Sequence, residues 1–151
     1  MRIAQIVPLA ESVPPKLYGG TERVVHWLTE ELLAQGHDVT LFASGDSSTR
    51  AELVPAIAKA LRLGRQKQDP SAACAALLAD VADQAARFDV IHSHIDWIHL
   101  PLLQSLEVPF LTTMHGRLDL PGLEQVLRRF PKVRSFPFPT ISVCRCRTSG
   151  G

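Results

Sequence analysis

Apolar positions along the chain alternate between two periods. Ile3 to Leu9 is a short, nearly continuous apolar run, as expected of a buried strand. Thr21 to Gln35 then places Val24, Val25, Leu28 and Leu32 at helical spacing. Thr21 is the expected cap, Glu22 suits the positive end of the helix dipole, and Gly36 is the expected stop. Asp38 to Ala43 carries Val39-Thr40-Leu41-Phe42, a second strand, and Gly45 to Ser48 a loop. Ala51 to Leu63 predicts a helix, against which Pro55 counts in the first turn, and Gly64 to Pro70 a polar linker. Ser71 to Phe88 is rich in alanine and leucine, with Ser71 as the expected cap of a long helix. Strands at Asp89 to His94 and Val108 to Met114 flank a helical stretch, Asp96 to Leu106, that contains Pro101. A short helix over Leu120 to Phe130 and a last strand over Thr140 to Val143 complete the pattern.

Repeated strand–helix alternation predicts an α/β fold, a Rossmann-like parallel sheet with helices on both faces. Ligands of such sheets bind beyond the carboxyl ends of the strands. That rule selects four places: the Val13 to Gly20 loop, Gly45-Asp46, His92-Ser93-His94, and His115-Gly116-Arg117. They are distant in sequence but are expected at one rim.

The Gly19-Gly20 pair opens the first helix. Two glycines let the backbone turn sharply and come close to a ligand. The helix behind them offers unpaired N–H groups, so the junction suits a phosphate or is simply a turn. His115 directly follows an apolar strand and precedes Gly116, where an imidazole can donate, accept or move a proton. Arg117 and Asp119 concentrate charge in the same loop. His92, His94 and Asp96 alternate and are expected on one face. Without cysteine or further carboxylate ligands nearby, recognition of a substrate hydroxyl by His94 and Asp96 is favoured over a metal site. Trp97 offers an apolar face to a sugar ring or packs inside, whereas His26, His37 and His99 are expected to be structural or solvated. Asp46 sits where a dehydrogenase holds ribose. The first strand-to-helix loop, however, is long, carries Pro14-Pro15 and lacks G-x-G-x-x-G, which counts against a dinucleotide site.

Composition narrows the picture. The 151 residues, 46% hydrophobic and 21% charged, fit one globular domain. No apolar run has the length of a membrane span and no signal peptide is recognised, so a cytoplasmic location is expected. Cys74 is expected as a buried thiol, and Cys144-Arg145-Cys146 has neither zinc nor redox spacing. Net charge is +1, yet six basic and no acidic residues lie from Arg128 onward. No nucleic-acid motif accompanies that cluster, so it is read as a solvated face.

Two stretches, Pro14 to Val25 and Gly36 to Asp46, resemble the N-terminal domain of bacterial family 4 glycosyltransferases. Asp89 to His94 and Thr112 to Pro121 extend the resemblance, which runs from Met1 to about Val143 and is weakest between Arg50 and Phe88. It implies the N-terminal half of a two-domain GT-B architecture, with acceptor mainly on this half and nucleotide-sugar mainly on the other. It implies retaining sugar transfer with no cofactor and no required metal. It places Gly19 and Gly20 near the donor phosphates and His115 near the transferred sugar; His94, Asp96, Arg117 and Asp119 are the candidates for contact with the acceptor or sugar. Residues 1–143 are then the acceptor-side domain and 144–151 an atypical basic tail. The donor-binding domain is expected to be absent, through truncation or a frameshift, and to come from a partner chain or a downstream reading frame. On that reading the chain is inactive alone. A non-catalytic sugar- or phosphate-binding module and a nucleotide-binding oxidoreductase are the alternatives.

Overall fold

A computed structural model describes residues 1–64, 68–130 and 142–144. The elements are β1 (Arg2–Ile6), α1 (Gly20–Ala34), β2 (Asp38–Ser44), β3 (Glu52–Ile57), α2 (Pro70–Gln84), β4 (Val90–Ser93), α3 (Leu100–Leu103), β5 (Phe110–Thr112), α4 (Leu123–Arg129) and β6 (Ser142–Cys144). The strands form one sheet in the order β3-β2-β1-β4-β5-β6. β1 to β5 are parallel, as the alternation predicts, and β6 joins the edge antiparallel to β5. Thr140 and Ile141 of the expected last strand, and the tail beyond Cys144, lie outside the described residues.

The period of two along the strands sorts side chains onto two faces. Ala4, Ile6, Phe42 and Ile91 pack against Ala73, Leu77 and Val81 of α2 and against Leu100 and Leu103 of α3. Phe42 meets Phe88 edge to face, with ring centroids 5.8 Å apart. On the opposite face Val39, Leu41 and Ala43 pack with Val25 of α1. The sheet is therefore covered on both sides. Among the described residues no helix is long and apolar enough to cross a membrane.

Several local expectations change. The stretch 51–63 is not a helix: Glu52–Ile57 is the edge strand β3, followed by turns. Ala51 and Leu53 pack on one face of the sheet, Val54 and Ala56 on the other, and this two-sided burial hides the strand alternation. Pro55 lacks an N–H, which an edge strand tolerates and a helix interior does not. The Asp96 to Leu106 helix shrinks to the four residues of α3, with Pro101 in its first turn. α1 is capped at Gly19 without a side-chain bond, not by Thr21, and it buries Glu22, Val25 and Thr29 while Val24 and Leu28 are half-buried. It ends where predicted, with Gly36 at φ +82°, its N–H donating to the Leu33 carbonyl and that of His37 to Leu32. Cys74 is half-buried rather than buried, and partial burial pushes its thiol pKa up.

α2 is capped by Asp69, whose Oδ1 accepts from the backbone N–H groups of Ser71 (2.7 Å) and Ala72 (3.3 Å). Ser71 is inside the helix. Asp69→Ala is therefore expected to cost about 1 kcal/mol of stability in urea denaturation. Ser71→Ala is expected to stay within about 0.5 kcal/mol.

Candidate functional site

Because five strands run parallel, their carboxyl ends share one rim. The loop after β1 is tied to the loop after β2. The Ser47 hydroxyl accepts from Val13 N–H, and Ser48 N–H donates to the Val13 carbonyl. Lys16 reaches Asp46 at 3.5 Å, and the other Asp46 oxygen accepts from Ala60 N–H at 3.0 Å. Asp46 thus ties two loops together, where a dinucleotide fold would use such a carboxylate for ribose.

Gly19 sits where the loop folds back on itself. A Cβ there would stand 2.7 Å from Pro15 Cβ and 2.8 Å from a Glu22 carboxylate oxygen, whereas one at Gly20 meets nothing within 4 Å. Only Gly19 is required by close approach; Gly20 faces open space. Gly19, Gly20, Glu22, Arg62 and His115 line one depression at the amino end of α1.

The remaining walls come from β4 and β5. In register, Gln5 of β1 lies beside His92 of β4, which lies beside Leu111 of β5. His92 and His94 project to the same face, with ring centroids 4.0 Å apart. His92 Nε2 is 2.9 Å from the Thr113 hydroxyl. His94 is bonded through both nitrogens, Nε2 to Gln5 Oε1 and Nδ1 to His115 Nε2, each at 2.9 Å. On the opposite face the fully buried His99 bridges the hydroxyls of Ser93 (2.9 Å) and Thr112 (2.6 Å), a structural role. Among the described residues, no group of three or more His, Cys, Asp or Glu is arranged to hold a metal ion.

Asp96 has φ +52°, a left-handed conformation that aspartate tolerates better than most residues. Its Oδ1 accepts from the backbone N–H groups of His115 (2.9 Å) and Gly116 (3.1 Å), fastening the His115 loop to the end of β4. A Cβ at residue 116 would stand 3.0 Å from Asp96 Oδ2, so glycine there makes the clasp fit. Arg117 and Asp119 pair with each other in solvent, at 2.6 Å. Arg117 lines a second, largely apolar depression with Asp96, Met114, Leu120 and the part-exposed Trp97. The structure thus brings Gly19, Gly20 and His115 together and sets His94 directly behind His115. Asp96 and Arg117 border the neighbouring recess, and Asp119 sits outside as Arg117's partner.

Burial governs the electrostatics. It pushes His92 down to about 3 and His94 well below its ordinary range, and it lowers His115 against the opposing pull of Asp96. Glu22 is raised, chiefly by burial and further by nearby Glu11. Glu11 is itself buried, and its Oε1 accepts from Arg62 at 3.1 Å while the same guanidinium nitrogen donates to the Tyr18 carbonyl. Glu11, Glu22 and Arg62 had no sequence signal as site residues. Arg62 reaches the rim because the chain after β3 turns back, Leu61 N–H bonding the Leu9 carbonyl and Arg62 N–H that of Ala10.

The fold and rim define a Rossmann-like α/β domain with a polar, histidine-lined site at the strand ends. The chain belongs to Glycosyltransferase Family 4, whose model matches residues 18–144. Two glycogen synthases of Mycobacterium tuberculosis, from strains CDC 1551 / Oshkosh and ATCC 25618 / H37Rv, are each 28% identical over 74% of this chain and 33% of their own length. The chain spans about a third of the length of those curated relatives. A sucrose-phosphate synthase from Thermosynechococcus elongatus shares the fold, with TM-score 0.53 and 19% identity over 87% of this chain and 39% of its own. AviGT4, a glycosyltransferase involved in avilamycin A biosynthesis, gives TM-score 0.47 and 26% identity over 77% of this chain and 32% of its own.

Two expectations follow. Gly19→Ala should cost about 1–3 kcal/mol in thermal or urea unfolding because Pro15 must move, whereas Gly20→Ala should be neutral or slightly stabilising. Stability should also fall with acid. His92 and His99, both lowered to about 3 by burial, stay neutral in the fold while the unfolded chain protonates below its ordinary value of 6.5. Their contribution is complete above that value and lost as pH falls towards 3. By pH 5 each is expected to remove about 2 kcal/mol, readable by urea denaturation at a series of pH values.

Proposed function

We propose that this chain is the acceptor-side part of a retaining glycosyltransferase that moves a sugar from a nucleotide-sugar to an acceptor. The observation that supports it best is the meeting of Gly19, Gly20 and His115 in one depression at the strand ends, within a family 4 chain. The N–H groups at the start of α1 offer fixed donors to negative charge developing on a leaving phosphate. Arg62 adds a cation to the same wall. His115, held by the Asp96 clasp on its backbone and by His94 on its ring, has its position fixed from two sides, as a group beside a transferred sugar requires. The acceptor contacts fall to Asp96, Arg117 and Asp119, with His94 acting from behind. The transfer needs no metal in this reading. On this reading the nucleotide is held mainly by a donor-side half, as the two-domain architecture implied by the family resemblance has it, and transfer needs both halves.

NMR titration of the full chain tests this with UDP-glucose, ADP-glucose, GDP-mannose and NAD as probes. At least one nucleotide-sugar should shift the Gly19, Gly20 and His115 resonances, and His115→Ala should weaken that response. Tighter binding of NAD than of any nucleotide-sugar would overturn the reading. Measurable sugar transfer by the chain alone would overturn the reading of it as the acceptor-side part only.

A further inference from the structure

Gln5 is a polar side chain in the middle of β1, fully buried between β2 and β4. Its Oε1 is 2.9 Å from His94 Nε2, while its amide nitrogen has no hydrogen-bond partner. Burying such a group costs stability unless it is hydrogen-bonded, and here only its oxygen is. A carboxamide oxygen only accepts, so His94 Nε2 carries the hydrogen. A neutral imidazole has a single N–H, so His94 Nδ1 is an acceptor. That nitrogen lies 2.9 Å from His115 Nε2, which must therefore donate. His115 then carries its proton on Nε2 and a lone pair on Nδ1.

We propose that Gln5 is a positioning residue that acts through His94 to fix the Nε2–H tautomer of His115. Any ligand group that meets His115 Nδ1 must then be a donor, such as a sugar hydroxyl. This last step rests on the function proposed above; the tautomer assignment does not. Burial lowers the pKa of both rings, which favours the neutral forms that single tautomers require. His92, whose ring lies tilted against His94 at 4.0 Å between centroids, directs its Nε2 to the Thr113 hydroxyl instead. The amide of Gln5 is the determining end of the chain of bonds. With its nitrogen turned to His94, every donor and acceptor along the row would reverse, and His115 would carry Nδ1–H.

The test is two-dimensional ¹⁵N–¹H spectroscopy of the imidazole nitrogens in the ¹⁵N-labelled full chain above neutral pH. Wild type should show Nε2–H for both His94 and His115. Gln5→Met, which removes the acceptor and keeps the length, should turn His115 into a mixture of tautomers. Thr113→Val, which removes a buried hydroxyl beside the same row, should leave the His115 pattern unchanged. Nδ1–H on His115 in wild type overturns the proposal, whether or not the Gln5 variant folds. So does an unchanged His115 in folded Gln5→Met, or the same mixture in Thr113→Val. Unresponsiveness to every nucleotide-sugar, with the Nε2–H pattern present and Gln5-dependent, supports the tautomer assignment and removes the donor-site reading instead.

Discussion

A histidine buried in a sheet must be neutral and must find a partner for each ring nitrogen it can, because an unpaired polar atom there costs kilocalories. Much of the rim satisfies that constraint. Three imidazoles, His92, His94 and His99, are buried within the short span that ends β4 and enters α3. The period of two separates them, His92 and His94 facing one side of the sheet and the Ser93 hydroxyl turning to the other to meet His99. Each side recruits neighbours according to register. Gln5 comes from β1, Thr112 from β5, and Thr113 and His115 from the chain just beyond β5. The parallel pairing of β1, β4 and β5 is thus a precondition for the chemistry at their ends. A slip of one residue would turn every one of these side chains to the wrong face.

The loops are fixed by a second kind of contact, backbone held by carboxylate. Asp96 grips two N–H groups of the His115 loop, Asp46 grips Ala60, and Asp69 caps α2. A carboxylate that accepts from backbone donors sets the path of a loop more firmly than an exposed ion pair. The contrast with Arg117 and Asp119 is direct. They pair in solvent over two residues, and nothing in that pairing orders the site.

The fold was legible where burial was one-sided or continuous. The apolar core of β1, the helical spacing of α1 with its stop at Gly36, and the Val39 to Phe42 run of β2 all speak for themselves locally. Glu52–Ile57 did not, because both of its faces are covered and alanine and leucine on either side suggest a helix. Ser71 looked like a cap because it precedes the apolar run, yet Asp69 is two residues further out with Pro70 at the first helical position. Of the candidate site residues, His94, Asp96 and His115 could be singled out because they closely follow strands, and the glycines because they open α1. Gln5, Glu11 and Arg62 could not, because their significance comes from partners 89 residues away in the case of Gln5 and His94 and 51 in that of Glu11 and Arg62. No local pattern encodes such a pairing.

The wall around Gly19 gathers two carboxylates and a guanidinium at the start of α1. Glu11 and Glu22 are both buried there. The Glu22 pKa is raised chiefly by burial, with Glu11 adding to it, and the Arg62 guanidinium pairs with Glu11. That guanidinium also couples the glycine junction to the chain after β3, since Arg62 bonds the Tyr18 carbonyl just ahead of Gly19. An anion arriving at the start of α1 would compete with Glu11 and Tyr18 for the same guanidinium. The N–H groups of α1, the cation and the acid pair therefore act as one electrostatic unit. The requirement for glycine at residue 19 follows from crowding at the same wall, because Pro15 on one side and the Glu22 carboxylate on the other leave no room for a Cβ.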